Sequence, residues 1–410
     1  MTADMVRGDA FVEWRPAWSA HEGEQAVRET FESAFDCAPE GVWAAPGRVN
    51  LIGEHTDYNA GLCLPMALHH RTYVALSPRA DGAVRLTSAQ ELTTWTGTLA
   101  DVRPGVVSGW AGYAVGVAWA MREAGYDVPG FDAAVDSCVP YGAGLSSSAA
   151  LEAAVAVALD DLAGTGLAAD DRGRARLADL CRQAENEIAG APTGGLDQTA
   201  VLRCTPGHAL AIDFLDGSVQ QIPAALGEHV LLVVDTRAEH QLVDGQYARR
   251  RSSCEQAAAV LGLPSLREVD DLDAALSQLA GAPEVLARRV RHVVTENARV
   301  LKAIALLQAG RTAELGPLLS ASHRSLRDDY EVSCAELDLA VESASAAGAL
   351  GARMIGGGFG GSALALVRRR DVDHVAQAVR SAFADAAHRA PAFLVAEPAG
   401  PAGPVARKNS

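Results

Sequence analysis

Acidic, basic and hydroxyl side chains that could act on a polar substrate concentrate in three short stretches of this 410-residue chain. Residues 42–65 carry Arg48, Asn50, Glu54, His55, Asp57 and Asn59 between apolar segments, with Pro46, Gly47, Gly53 and Gly61 to set turns. A hairpin end closed by an Asx-type turn accounts for Asn59 and Thr56, but it leaves Arg48 and Glu54 without a structural task. Residues 140–152, Pro-Tyr-Gly-Ala-Gly-Leu-Ser-Ser-Ser-Ala-Ala-Leu-Glu, join a β-branched apolar segment to an alanine-rich one. Further on, Glu185 and Glu187 stand near the end of an amphipathic run. The sequence Ala-Pro-Thr-Gly-Gly-Leu-Asp-Gln-Thr then puts Asp197 in irregular backbone, where catalytic side chains concentrate. By residue type alone Asp197 reads first as a helix or turn cap.

The middle stretch predicts an anion cradle. Pro140 stops the strand expected over residues 131–139, and Gly142 and Gly144 turn the backbone and let a ligand approach it. Ser146, Ser147 and Ser148 open a helix whose first-turn amides and positive dipole end would face the loop, a natural place for phosphate. The same serines also serve as ordinary N-caps, and the glycines as an ordinary turn. A dinucleotide fingerprint is not matched, because Ser147 stands where the third glycine belongs and Asp160 and Asp161 fall within the helix. No Gly-Lys-Ser/Thr follows, and the chain's two lysines are Lys302 and Lys408, which excludes a Walker loop and protein-kinase chemistry. Nucleotide phosphates would have to be held by backbone amides, arginine and metal.

A net charge of -16 argues against a nucleic-acid or anionic-membrane partner. Seven cysteines without a Cys-x-x-Cys pair point to neither a disulfide framework nor a zinc site. With no apolar signal core and no run approaching the ~20 residues of a membrane span, a soluble, cytoplasmic monomer is expected. His69, His70, His292, His323 and His374 lack a metal-ligand pattern, and Arg249, Arg250 and Arg251 read as a solvated helix face.

Three motifs together, residues 47–65, 139–151 and 353–367, resemble those of the GHMP small-molecule kinases. The run Gly-Arg-Val-Asn-Leu-Ile-Gly-Glu-His-Thr-Asp-Tyr-Asn resembles the signature of the galactokinase family within them. Ile355 and Ser362 depart from the threonine and cysteine frequent in that family. The resemblance implies ATP-dependent phosphorylation of galactose at its anomeric hydroxyl. It makes Asp197 the catalytic carboxylate, Arg48 its charge-stabilising partner, and Glu54, His55, Asp57, Gly194 and Tyr247 the sugar ligands. Gly142, Gly144, Leu145, Ser146, Ser147 and Ser148 would cradle ATP, and Ser148 and Glu185 would hold Mg²⁺, with Ser147 a neighbouring candidate. N-acetylgalactosamine or another sugar stays open as substrate. So does a non-catalytic sugar sensor, although Ser148 and Ala149 fill the positions that such sensors lose.

Positioning these groups requires an α+β chain, long enough at 49% hydrophobic residues to bury two cores. Alternating runs at 72–76, 83–87 and 95–99 predict an antiparallel sheet, and residues 109–124, 146–158 and those from 172 predict helices over it. The expected division is an N-terminal domain of residues 1–207 with the sugar motif and phosphate loop, and a C-terminal domain of residues 208–410. In the latter, a buried strand at 229–236, helices through 284–347, a glycine turn at 354–361, strands at 362–368 and 392–396 and a helix at 372–387 predict a ferredoxin-like layer. Residues 1–20 are expected as a loose arm and residues 398–410 as a disordered tail.

Overall fold

The computed structural model describes residues 11–191, 193–238 and 243–407. Among these, the strands form three sheets. The largest runs in the order Gly403–Arg407, Gly41–Asn50, Pro65–Arg79, Gly130–Ser137, Ala83–Ser88, Glu91–Thr98. Side chains alternate across it with the period of two that a strand imposes. Val42 and Ala44 meet Val27 and Phe31 of the helix Ala20–Phe35, whereas Trp43 and Ala45 face the helices Ala111–Glu123, Ser147–Ala163 and Asp171–Ala184. The expected sheet-and-helix layer is therefore covered on both faces, and every residue of Gly41–Asn50 is buried.

The second sheet runs Glu13–Trp14, Ala392–Ala396, His229–Asp235, Ser362–Arg368, Gly351–Ile355. Counting its four longer strands along the chain from His229–Asp235, the spatial order is four, one, three, two. With the helix Val372–Asp385 before the last strand, this is the expected ferredoxin-like layer. A third sheet pairs Leu62–Cys63 with His208–Asp213, which in turn pairs Val219–Pro223. The strand just past residue 207 is thus hydrogen-bonded to the loop of the first motif. One apolar cluster also takes side chains from both sides of that point, among them Leu51, Leu64 and Met66 with Leu231, Leu364 and Leu394.

Two expectations are corrected. The tail is ordered as far as residue 407: Gly403–Arg407 adds an edge strand to Gly41–Asn50, and Arg71 donates to the carbonyls of Gly400 and Pro401 just before it. Strand pairing draws on backbone groups, and an edge tolerates Pro404, so a composition rich in proline and glycine did not reveal it. The N-terminal arm is tied as well, by Glu13–Trp14 alongside Ala392–Ala396 and by Ser19, which caps the first helix reciprocally with Glu22. Residues 1–10 and 408–410 of these two calls lie outside the described residues. No helix among the described residues is long and apolar enough to cross a membrane.

Candidate active site

The phosphate-loop helix, Ser147–Ala163, begins where the glycines allow. Gly142 and Gly144 have φ of 73° and 72°, a region that L side chains enter only at a cost, and Ser146 follows them at φ 60°. Ser146 does not cap the helix with its side chain. Its hydroxyl donates instead to Oδ2 of Asp197. The cap position thus leaves the first-turn amides without a side-chain partner, as an anion site requires. Ser362, the departure noted in the third motif, donates its hydroxyl to the carbonyl of Ala143 at 2.7 Å and ties the loop to the C-terminal sheet.

Arg48 leaves the buried strand Gly41–Asn50 with its side chain 9% exposed. Its Nε donates to Oδ1 of Asp197 at 2.8 Å and its Nη1 to the carbonyl of Gly144 at 2.7 Å. Asp197 sits in the first turn of the helix Leu196–Arg203 and offers no side-chain cap; both its oxygens are engaged by Arg48 and Ser146. The cap reading of this residue is replaced by a carboxylate aimed across the chain.

Around this pair opens a cavity of about 340 Å³. Arg48, Glu54, His55, Asp57, Gly142, Gly144, Leu145, Ser146, Ser147, Ser148, Glu185, Asp197 and Tyr247 all line it, so one space gathers the groups expected at sugar, phosphate and metal. Gly194 is the exception: it stands behind the wall, where a Cβ would lie 2.2 Å from Oδ2 of Asp57. Burial, with the nearby Asp197 and Glu54 charges adding to it, pushes Asp57 up to about 7. His55, held at φ 62°, is pushed down to about 3 by burial and then by His292, which keeps its ring neutral. Its Nδ1 meets the hydroxyl of Tyr58 at 2.9 Å, and Tyr58 meets Tyr330 at 2.8 Å; Tyr247 packs against both His55 and Tyr58.

Glu185 begins the π-helical turn Glu185–Ala189, and burial, then the Asp197 charge, pushes its carboxyl up to about 7. Ser148 hydrogen-bonds it, and the amide of Gln198 donates to it and, at 2.9 Å, to Glu152. No group of three or more His, Cys, Asp or Glu able to chelate an ion occurs among the described residues. Ser148 and Glu185 are hard oxygen donors side by side at the mouth of an anion loop. That set fits Mg²⁺, which takes few protein ligands and completes its shell with phosphate and water.

Several neighbours were not singled out from sequence. Glu152 is a fully buried acid inside an alanine run, a pattern that could have flagged it. Gln198, Arg353 and the Tyr58–Tyr330 pair carry no such local signal. Nor did the apolar cavity of about 680 Å³ that adjoins the loop at Gly142, Ser147 and Ser148 and is lined by Trp110, Tyr113, Tyr141 and Leu151. Of the three arginines read as a solvated face, Arg249 and Arg251 are exposed. Arg250 instead donates to the carbonyls of Tyr330 and Glu331 and lies over the ring of Phe359.

Comparison with known proteins adds to this geometry. Residues 29–78 match the galactokinase galactose-binding signature, residues 112–204 the GHMP kinase N-terminal domain and residues 303–385 the GHMP kinase C-terminal domain. The chain is 52% identical over 378 residues to the galactokinase of Streptomyces coelicolor, covering 91% of this chain and 96% of that protein. It is 41% identical over 374 residues to the galactokinase of Canis lupus familiaris, covering 88% and 92%. The crystal structure of Lactococcus lactis galactokinase complexed with galactose superposes with a TM-score of 0.86 at 33% identity, over 92% of this chain and 98% of that one. Methanococcus jannaschii mevalonate kinase shares the fold alone, with a TM-score of 0.63 at 16% identity over 87% and 97%. Signature, relatives and architecture agree with the cavity's residues: the chain belongs to the galactokinase family of the GHMP kinases.

Proposed function

We propose that the protein transfers the γ-phosphoryl group of ATP to the anomeric C1 hydroxyl of galactose, giving galactose 1-phosphate and ADP. The observation that carries this reading is the Arg48–Asp197 pair, set in one cavity between the first turn of the helix Ser147–Ala163 and the acids Glu54 and Asp57. The galactokinase relatives and the galactose bound to the Lactococcus lactis protein support the substrate.

Glu54, His55, Asp57 and Tyr247 bind the sugar hydroxyls, and the Gly194 backbone buttresses Asp57. Asp197 faces the C1 hydroxyl. With Arg48 on one oxygen and Ser146 on the other, its direction is set before substrate arrives. In a loose, metaphosphate-like transition state the hydroxyl proton becomes acidic only as the new bond forms, so alignment and charge neutralisation matter more than a strong base. Arg48 supplies positive charge at the transferring group. The loop from Gly142 to Ser148 holds the phosphates by backbone amides, and Ser148 and Glu185 would hold Mg²⁺, which neutralises phosphate oxygens when bound. The adjoining cavity with Trp110, Tyr113 and Tyr141 takes the adenine, since it is apolar, aromatic and continuous with the phosphate loop. The seven cysteines are all free thiols, which supports a reducing cytoplasm.

ADP release measured over a panel of galactose, N-acetylgalactosamine and glucose tests the reading. Galactose should give the highest kcat/KM; a preference for N-acetylgalactosamine replaces the substrate, and tight binding of galactose and ATP without turnover makes the chain a sensor.

A further inference from the structure

Glu54 reaches the cavity with one oxygen already taken from behind. Its Oε1 accepts the backbone N–H of Gly356 at 2.8 Å and lies 3.3 Å from Nη2 of Arg353. Arg353 belongs to the strand Gly351–Ile355 and is fully buried, outside the cavity. Its Nη1 donates to the carbonyls of Asn50 and Leu51, each at 3.0 Å, so a single guanidinium spans the backbone of the first motif and the carboxylate that follows it. The backbone of this loop is fixed too: Glu296 accepts the N–H of Gly53 at 3.0 Å, and His292 meets the carbonyl of Glu54 at 3.1 Å. The two Glu54 oxygens are therefore unequal. Oε1 belongs to the C-terminal sheet, and no hydrogen bond among the described residues engages Oε2.

We propose that Arg353 is a positioning residue for sugar recognition, holding Oε1 of Glu54 so that Oε2 meets one sugar hydroxyl as an acceptor of fixed direction. The inference rests on Glu54 being a sugar ligand. A fixed, buried acceptor discriminates between epimers because the wrong one leaves it unpaired, whereas an acceptor free to swing would follow the hydroxyl. Arg353 touches neither sugar nor nucleotide.

Arg353→Lys is the first test. Lysine keeps the charge but has no planar fork to serve two carbonyls and a carboxylate together. Galactose KM should rise about tenfold or more while ATP KM and kcat stay within about twofold. The kcat/KM preference for galactose over talose, gulose and glucose, its epimers at C2, C3 and C4, should also fall. Equal rises in both KM values, or no change in either, overturn the proposal. Should this variant fail to fold, Glu54→Gln decides. The N–H of Gly356 donates to the Oε1 position and the Arg353 guanidinium lies 3.3 Å from it, so the amide oxygen and not the NH₂ will take that position, which turns the NH₂ toward the sugar. Galactose KM then rises about tenfold or more with the melting temperature within about 2 °C of wild type. An unchanged galactose KM means the amide has turned freely, and ends the proposal. Asp57→Ala separates the two levels: if it too leaves galactose KM unchanged, the sugar-site reading fails; if it alone raises KM, only the role of Arg353 does.

Discussion

Arg48 and Asp197 stand 149 residues apart in the chain and meet at 2.8 Å, Nε to Oδ1, on the wall of the cavity that Glu54, Asp57 and Glu185 also line. An exposed pair such as Arg311 with Glu314 is screened by water and contributes little to stability. Arg48 is instead enclosed on the cavity wall, held on Asp197 and on the carbonyl of Gly144. Asp197→Asn and Arg48→Ala should each lower kcat by about 100-fold or more with sugar and ATP binding nearly intact. Because they share one transition-state contact, the double variant should be much less impaired than the product of the two losses. Turnover of all four proteins decides; strictly multiplicative losses would mean independent roles.

Glu185→Gln removes a carboxylate from the position expected to hold the cation. The Mg²⁺ concentration for half-maximal rate should rise about tenfold or more, and Mn²⁺ bound in the presence of a non-hydrolysable ATP analogue should weaken in parallel. An unchanged Mg²⁺ requirement would take Glu185 out of the metal site.

Asp57 gives the sugar site a pH dependence. Its carboxyl is pushed up to about 7 in the free protein, chiefly by burial. Hydroxyls donating to a carboxylate favour the ionised form, so galactose binding releases a proton. Affinity rises with pH through 7 and is level above it, and falls about tenfold per pH unit well below. In the sugar-free protein the sign is the reverse for stability: this group's contribution is fully present below its unfolded pKa of ~3.9 and is lost as pH rises through 7. Calorimetric titration with galactose from pH 5.5 to 8.5 should show the slope in the wild type and a flat line in Asp57→Asn.

Gly194 has no room for a side chain, since a Cβ there would sit 2.2 Å from Oδ2 and 2.8 Å from Cγ of Asp57. Gly194→Ala must displace the carboxylate or the loop, and a shift near 1 Å costs about 100-fold in galactose kcat/KM. ATP KM should be unaffected. A variant with normal galactose kinetics would show that Asp57 can move without consequence.

Trp110 lines the apolar cavity beside the phosphate loop. If adenine packs there, Trp110→Ala should raise ATP KM about ten- to hundredfold and leave galactose KM alone. An unaltered ATP KM would place the base elsewhere.

The amino-acid sequence alone determined what is local. Glycines at 142 and 144 before a serine-opened alanine helix specify the loop, because backbone freedom and helix propensity act over a few residues. The apolar periods of His229–Asp235 and Val372–Asp385 specify strand and helix in the same way, and the crowding of polar residues over 48–59 marked that stretch, whereas Glu185 and Asp197 took their roles only from the resemblance to the galactokinase family. Tertiary structure decided which of those groups face one another. Ser146 reads as a cap, yet it turns to Asp197 because the helix Leu196–Arg203 brings a carboxylate within reach. Arg353 opens the third motif without a role of its own in the sequence, yet it donates to Asn50 and Leu51 and pairs with Glu54 because the C-terminal sheet packs behind the first motif. The Gly403–Arg407 strand and the aromatic cavity likewise depend on partners hundreds of residues away or gathered from several elements. Such pairings leave no periodicity in the chain; the closing of the core fixes them, when buried donors and acceptors must find partners wherever the packing has placed them.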